Sequence, residues 1–164
     1  MTADTLSATL RVLVVEDDLG DVALVESAFA GHRIATDLHH VADGAEALAF
    51  LRAEGSYAGA LRPDLILLDL NMPRLDGRQL LQVIKTDALL KAIPVVVFTT
   101  SSTPADITAS YRAHANAYVT KPIGLDDFDR VVAAIRNFYG HTVTLPRRTP
   151  DATRHDGSAG ELSN

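Results

Sequence analysis

Three short stretches of this chain, LRVLVV (10–15), PDLILLDL (63–70) and IPVVVFTT (93–100), are apolar on consecutive positions instead of alternate ones. A strand of that kind has both faces covered, which is the signature of a parallel sheet with helices packed on each side. IATDLHHVA (34–42) is more polar and alternates in part, as an edge strand does, and NAYVT (116–120) is a short fifth candidate. Helical spacing fills the gaps. Val22, Val25 and Phe29, with Leu24 and Ala28, recur at three and four residues after an acidic start at 18–21, and Gly31 follows as a stop. Residues 45–54 after Asp43 and Gly44 repeat the pattern and end at Gly55. Leu80, Leu81 and Ile84 mark a third helix, 103–114 with Pro104 in its first turn a fourth, and Phe128, Val131, Val132, Ile135 and Phe138 a fifth. Five strands, each followed by a helix, predict a doubly wound α/β sheet.

At 164 residues the chain has room for one domain of ordinary size, about 150 residues, and short extensions. Residues 1–9 read as a flexible lead, 10–140 as the domain and 141–164 as a C-terminal extension rich in Pro and Gly. Within that extension TVTLP (142–146) alternates like a short strand and is a candidate dimer arm, ahead of a disordered tail. There is no cysteine, which removes thiolate catalysis, disulfides and Cys-ligated metals together. The net charge of −6 argues against nucleic acid and anionic membranes as partners, and leaves an acidic cation pocket open. With no signal segment and no apolar run of about 18 residues, the chain reads as soluble and cytoplasmic.

Ligands of open parallel sheets sit outside the carboxyl ends of the strands. The first run ends in Glu16, Asp17 and Asp18, the 63–70 run in Asp69, Leu70 and Asn71, the 93–100 run in Thr99 and Thr100, and the last in Thr120 and Lys121. Acids, a hydroxyl and an amine therefore converge on one edge. Two like charges about 4 Å apart repel by roughly 4 kcal/mol at an effective dielectric of 20, so Glu16, Asp17 and Asp69 must take up a proton or bind a cation. Oxygen ligands alone favour a hard ion such as Mg²⁺, and Asn71 can add a further oxygen. A carboxylate beside Mg²⁺ with an ammonium and a hydroxyl suits phosphoryl transfer, with Asp69 as the nucleophile.

VLVVEDD, LILLDLNMPRLDG, PVVVFTT and AYVTKP, in that order and spacing, resemble the receiver domain of two-component response regulators across residues 10–140. The resemblance implies a flavodoxin-like, five-stranded parallel sheet in the order 2-1-3-4-5 with five helices. By register it puts the acidic pair on Glu16 and Asp17, the phosphoacceptor on Asp69, the main-chain metal ligand on Asn71, the hydroxyl on Thr99 and the lysine on Lys121. It also implies a switch aromatic at Tyr118 and a Lys121–Pro122 step that is commonly cis in the family. A Mg²⁺-dependent phosphoacceptor served by a sensor histidine kinase follows, signalling through protein contacts and catalysing only its own phosphorylation and hydrolysis. LLDLNMPRLDGRQLL, FTTSS and NFYGHTVTLP further resemble stand-alone receivers of hybrid or phytochrome-type kinases, a subgroup in which the segment after the fifth helix can pack on a second subunit.

Plainer readings stand beside these. Glu16 to Asp18 could be no more than acids at a helix start, Thr99 a satisfied strand hydroxyl, Lys121 a surface charge and Tyr118 a core aromatic. Asp76 and Gly77 read as a turn and helix start. Rival functions fit less well. A haloacid-dehalogenase-type enzyme needs an acid at position 71, where Asn71 stands, and a flavin phosphate would be repelled by Glu16 to Asp18. A docking relic without chemistry is at odds with the full residue set.

Overall fold

A computed structural model describes residues 9–146; the lead before Thr9 and the tail from 147 onward lie outside the described residues. Five strands, β1 (Leu10–Val15), β2 (Thr36–Val41), β3 (Leu65–Leu68), β4 (Val95–Thr99) and β5 (Ala117–Thr120), alternate with five helices. These are α1 (Leu19–Phe29), α2 (Gly44–Leu51), α3 (Gly77–Thr86), α4 (Pro104–Arg112) and α5 (Leu125–Asn137). All four pairings are parallel and the strand order is β2-β1-β3-β4-β5.

The unbroken apolar strands serve two cores. Leu13, Val15, Ile66, Leu68, Val95 and Val97 point to one face, where they meet Phe50 of α2 and Leu80, Leu81 and Ile84 of α3. Val12, Val14, Leu65, Leu67, Val96 and Phe98 point to the other, against Val25 and Phe29 of α1 and Phe128 and Val132 of α5. Every residue of β3 is buried, so a polar substitution at either parity would forfeit roughly 1.5–3 kcal/mol. The chain runs from β1 outward to β2 and then back past β1 to β3, so the reversal of strand order falls between β1 and β3. That is where Glu16 and Asp69 emerge.

Four sequence expectations change. The β2 strand begins at Thr36, because Ile34 packs beside the α1–α5 core and lies against Gly140 instead of continuing the ladder. Helix α2 stops at Leu51, where Ala53 and Gly55 turn left-handed (φ 52° and 58°) into a 3-10 turn at Gly55–Tyr57. Residues 142–146 form no strand: Thr142 closes a π-helical turn over Phe138–Thr142, and Leu145 packs on the chain's own α1–α5 core. No peptide bond among the described residues is cis, so the Lys121–Pro122 step is trans.

Candidate functional site

The end of β1 divides its three acids between two tasks. Asp18 caps α1, accepting from Gly20 N at 2.8 Å and Asp21 N at 3.2 Å, which is the plain helix-start role. Glu16 is held in line with the sheet: its N–H donates to Val41 O (3.1 Å), and its own carbonyl accepts from His40 Nε2 (2.7 Å). Its carboxylate is buried and accepts from Asp18 N through Oε1 (3.1 Å), while Asp17 is exposed. Asp69, one residue beyond β3, hangs from Val15 O by its N–H (3.0 Å) and is buried, with Oδ1 accepting from Asn71 N (3.2 Å). One carboxylate oxygen each from Glu16, Asp17 and Asp69 lie within 4.8 Å of one another. An all-oxygen cluster of that spacing fits a hard divalent ion.

Lys121 follows β5, and its N–H donates to Thr99 O (2.7 Å), so the register of the β4–β5 ladder aims its side chain back across the sheet edge. Its Nζ meets Glu16 Oε2 at 2.5 Å, Asp21 Oδ2 at 2.8 Å and Asp69 Oδ2 at 3.4 Å, over the ring of Phe98. The repulsion between acids is thus relieved by a resident cation. Burial, assisted by the charge of Asp69, pushes the Glu16 carboxyl up to about 8 against the lowering pull of Lys121. Burial also opposes the Lys121 charge, but the bonds to Asp21 and Glu16 outweigh it and raise the ammonium above its ordinary value. Lys121 stays charged even where Glu16 takes a proton, because Asp21 and Asp69 still face it.

Thr99 ends β4 fully buried, with Oγ1 accepting from Ser101 N at 3.4 Å. Tyr118 is half-buried against the α2–α3 core, and its hydroxyl donates to Ser101 O (2.7 Å). The β4–α4 loop therefore lies between the hydroxyl residue and the aromatic. The structure brings Glu16, Asp17, Asp69 and Lys121 into one cluster, with Asn71 at its rim, while Thr99 at the end of β4 and Tyr118 in β5 both contact Ser101 of the adjoining β4–α4 loop.

Two contributors escaped the sequence reading. Asp21 is in the first turn of α1, three residues past the cap, and turns toward Lys121; an acid there was visible, but its partner lies 100 residues away. Gly77 opens α3 directly under the loop that follows Asp69, its N–H donating to Leu70 O (3.0 Å), and a Cβ there would sit 2.0 Å from Asp69 O. The start of α3 is fixed by a capping box, with Gln79 N to Asp76 Oδ1 at 3.0 Å and Asp76 N to Gln79 Oε1 at 3.1 Å, a pairing the Asp-x-x-Gln spacing does signal.

Comparison with known proteins identifies the family. Residues 12–135 match the response regulator receiver domain family. Response regulator Rcp1 of Synechocystis sp. is 46% identical over 135 residues, covering 82% of this chain and 92% of that protein. The crystal structure of the Mn²⁺-bound form of Rcp1 superposes with a TM-score of 0.81 at 45% identity, covering 84% of this chain and 99% of that one. That of the phosphorylated cyanobacterial phytochrome response regulator RcpA gives 0.83 at 46%, covering 85% of this chain and all of that one (100%). A parallel β2-β1-β3-β4-β5 sheet with acids, hydroxyl and lysine at its carboxyl edge, matched over this length, makes the chain a member of the response regulator receiver family.

Proposed function

We propose that Asp69 is the phosphoacceptor of this receiver and that its donor is the phosphohistidine of a sensor histidine kinase. An Asp69 oxygen attacks phosphorus in line; the new P–O bond forms as the P–N bond breaks, and the imidazole, protonated on its other nitrogen, leaves as the neutral ring. The observation that carries this reading is the meeting of three carboxylates within 4.8 Å, with the Lys121 ammonium 3.4 Å from Asp69.

Glu16, Asp17 and Asp69, with the main-chain oxygen of Asn71, would hold Mg²⁺, which when bound neutralises charge on the phosphoryl oxygens. Lys121 does the rest from the protein side. As Asp69 becomes an acyl phosphate its carboxylate charge is lost, and the ammonium, still anchored by Asp21, turns its remaining donor to a phosphoryl oxygen. Thr99 then supplies a hydroxyl to the phosphoryl group, and the loop it shares with Ser101 carries the change to Tyr118. The protein acts on no external substrate; it assists its own phosphorylation and hydrolysis. Output passes through protein contacts on the α4–β5–α5 side, in the cytoplasm where a kinase of this kind presents its phosphohistidine. Likeness to RcpA, a phytochrome response regulator, and to RPA3017, a response regulator in red light signalling, supports a phytochrome-type partner. Residues 142–146 are assigned to a homodimer contact on the resemblance of NFYGHTVTLP to stand-alone receivers whose segment after the fifth helix can pack on a second subunit.

Intact-mass analysis after treatment with acetyl phosphate and Mg²⁺ tests the assignment. One phosphoryl group is expected on the wild type, none on Asp69→Asn and none without a divalent ion. Equal uptake by the wild type and Asp69→Asn would refute Asp69 as the acceptor.

A further inference from the structure

Beyond the acid cluster, the loops that follow Asp69 and Thr99 are joined by a second arrangement of charges. Arg78, in the first turn of α3, donates from Nε to Asp106 Oδ1 (2.8 Å) and from Nη2 to Asp106 Oδ2 (2.7 Å), a planar two-point fork onto the first turn of α4. The same guanidinium reaches back to the phosphoacceptor loop, with Nη1 3.4 Å from Leu70 O and Nη2 3.5 Å from Asn71 Oδ1. On the other side Asp106 Oδ2 accepts from Ser101 Oγ (2.5 Å), and Ser101 is the residue whose N–H meets the Thr99 hydroxyl and whose carbonyl receives the Tyr118 hydroxyl. Asp106 N is itself capped by Thr103 Oγ1 (3.2 Å).

This chain of contacts runs Leu70 and Asn71, Arg78, Asp106, Ser101, Thr99 and Tyr118. It clasps the two loops that border the carboxyl ends of β3 and β4. Arg78 is substantially exposed, and exposed ion pairs add little to global stability. A fork with two well-formed bonds that spans two loops instead fixes their separation. The Asp106 carboxyl is held well below the usual carboxylate range by Arg78 and then Ser101, so the pair is fully charged under working conditions.

We infer that Arg78 and Asp106 are positioning residues for phosphoryl chemistry at Asp69. Acting through Asn71 and Ser101, they hold the rim of the site closed to water and so set the lifetime of the aspartyl phosphate. The inference rests on the reading of Asp69 as phosphoacceptor. The step they restrain is hydrolysis: water attacks phosphorus, the bond from phosphorus to the Asp69 oxygen breaks, the carboxylate returns, and inorganic phosphate leaves with the water's proton passing to phosphate or solvent.

The full chain is loaded with acetyl phosphate and Mg²⁺, the donor is removed, and loss of the phosphoryl mass is followed over time for wild type, Arg78→Ala, Asp106→Ala and the double variant. Thermal unfolding of each is recorded alongside. Each single variant is expected to shorten the half-life at least about threefold, and the double variant no further than the faster single, because both remove one clasp. Asp106→Asn replaces Asp106→Ala should the latter fail to fold. A half-life unchanged or lengthened, a multiplicative effect in the double variant, or a lowered unfolding temperature with unchanged decay would each overturn the inference. Failure of the wild type to gain phosphate, by contrast, strikes at the assignment of Asp69 and takes the clasp with it.

Discussion

Substituting Gly77 by alanine should damage the site from beneath, for a reason unrelated to backbone freedom. Gly77 does not adopt a left-handed conformation, and at the start of a helix alanine is ordinarily the better residue by up to about 1 kcal/mol. The added Cβ, however, would lie 2.0 Å from Asp69 O and 2.7 Å from Leu70 Cα, and the atoms in the way are backbone. Relief needs α3 and the β3–α3 loop to part by more than about 1 Å, at an overpacking cost of about 1–3 kcal/mol. The bond from Gly77 N to Leu70 O (3.0 Å) stretches with it, which adds about 1 kcal/mol. Less the helix-propensity gain, the net loss is about 1–3 kcal/mol, read as a fall of about 1 M in the urea midpoint followed by far-UV circular dichroism. Because the strain falls on Asp69, the proposed acceptor, phosphoryl uptake from acetyl phosphate should slow by about tenfold or more. Gly31→Ala is the control. At φ 72° with nothing within 4 Å, it should cost about 1 kcal/mol and leave uptake unchanged. A Gly77→Ala protein as stable as the wild type with undiminished uptake would refute the packing argument.

Two further outcomes are expected. The Asp106 carboxyl is depressed in the folded state, so the stability it contributes is present above the unfolded carboxylate value of about 3.9 and is lost as pH falls through the folded value. The gap in urea midpoint between wild type and Arg78→Ala should therefore close on strong acidification, and a gap constant down to the acid transition would contradict the pairing. For the C-terminal segment, light scattering of the full chain against one ending at Gly140 should show loss of the dimer; an unchanged mass would remove the dimer assignment for 142–146.

The fold was legible because burial on both faces leaves a plain mark: LRVLVV became β1 residue for residue, and PDLILLDL and IPVVVFTT contain β3 and β4. Where the reading failed, an apolar residue was packing without pairing. Ile34 looked like the start of β2 and instead abuts Gly140, and the alternation of Val143 and Leu145 reflects one side chain turned onto the chain's own core. A period of two records which side is buried and says nothing of whether a neighbouring strand is there to bond.

The site divides along the same line. The order of acids, hydroxyl and lysine along the chain gives the residue types, because the acids and the hydroxyl close buried strands and the lysine follows the last strand. What order cannot give is which of them face one another. Protonation or an added cation was the expected answer to repulsion among Glu16, Asp17 and Asp69, yet the first answer is Lys121, anchored by an Asp21 that sequence placed only at a helix start. That answer is incomplete by charge. One ammonium against the carboxylates of Glu16, Asp17, Asp21 and Asp69 leaves the ionised pocket formally at −3, and the upward push on Glu16, chiefly from burial, is increased by the charge of Asp69. A divalent ion held by the Glu16, Asp17 and Asp69 carboxylates would bring the pocket formally to −1, offsetting charge that Lys121 alone leaves.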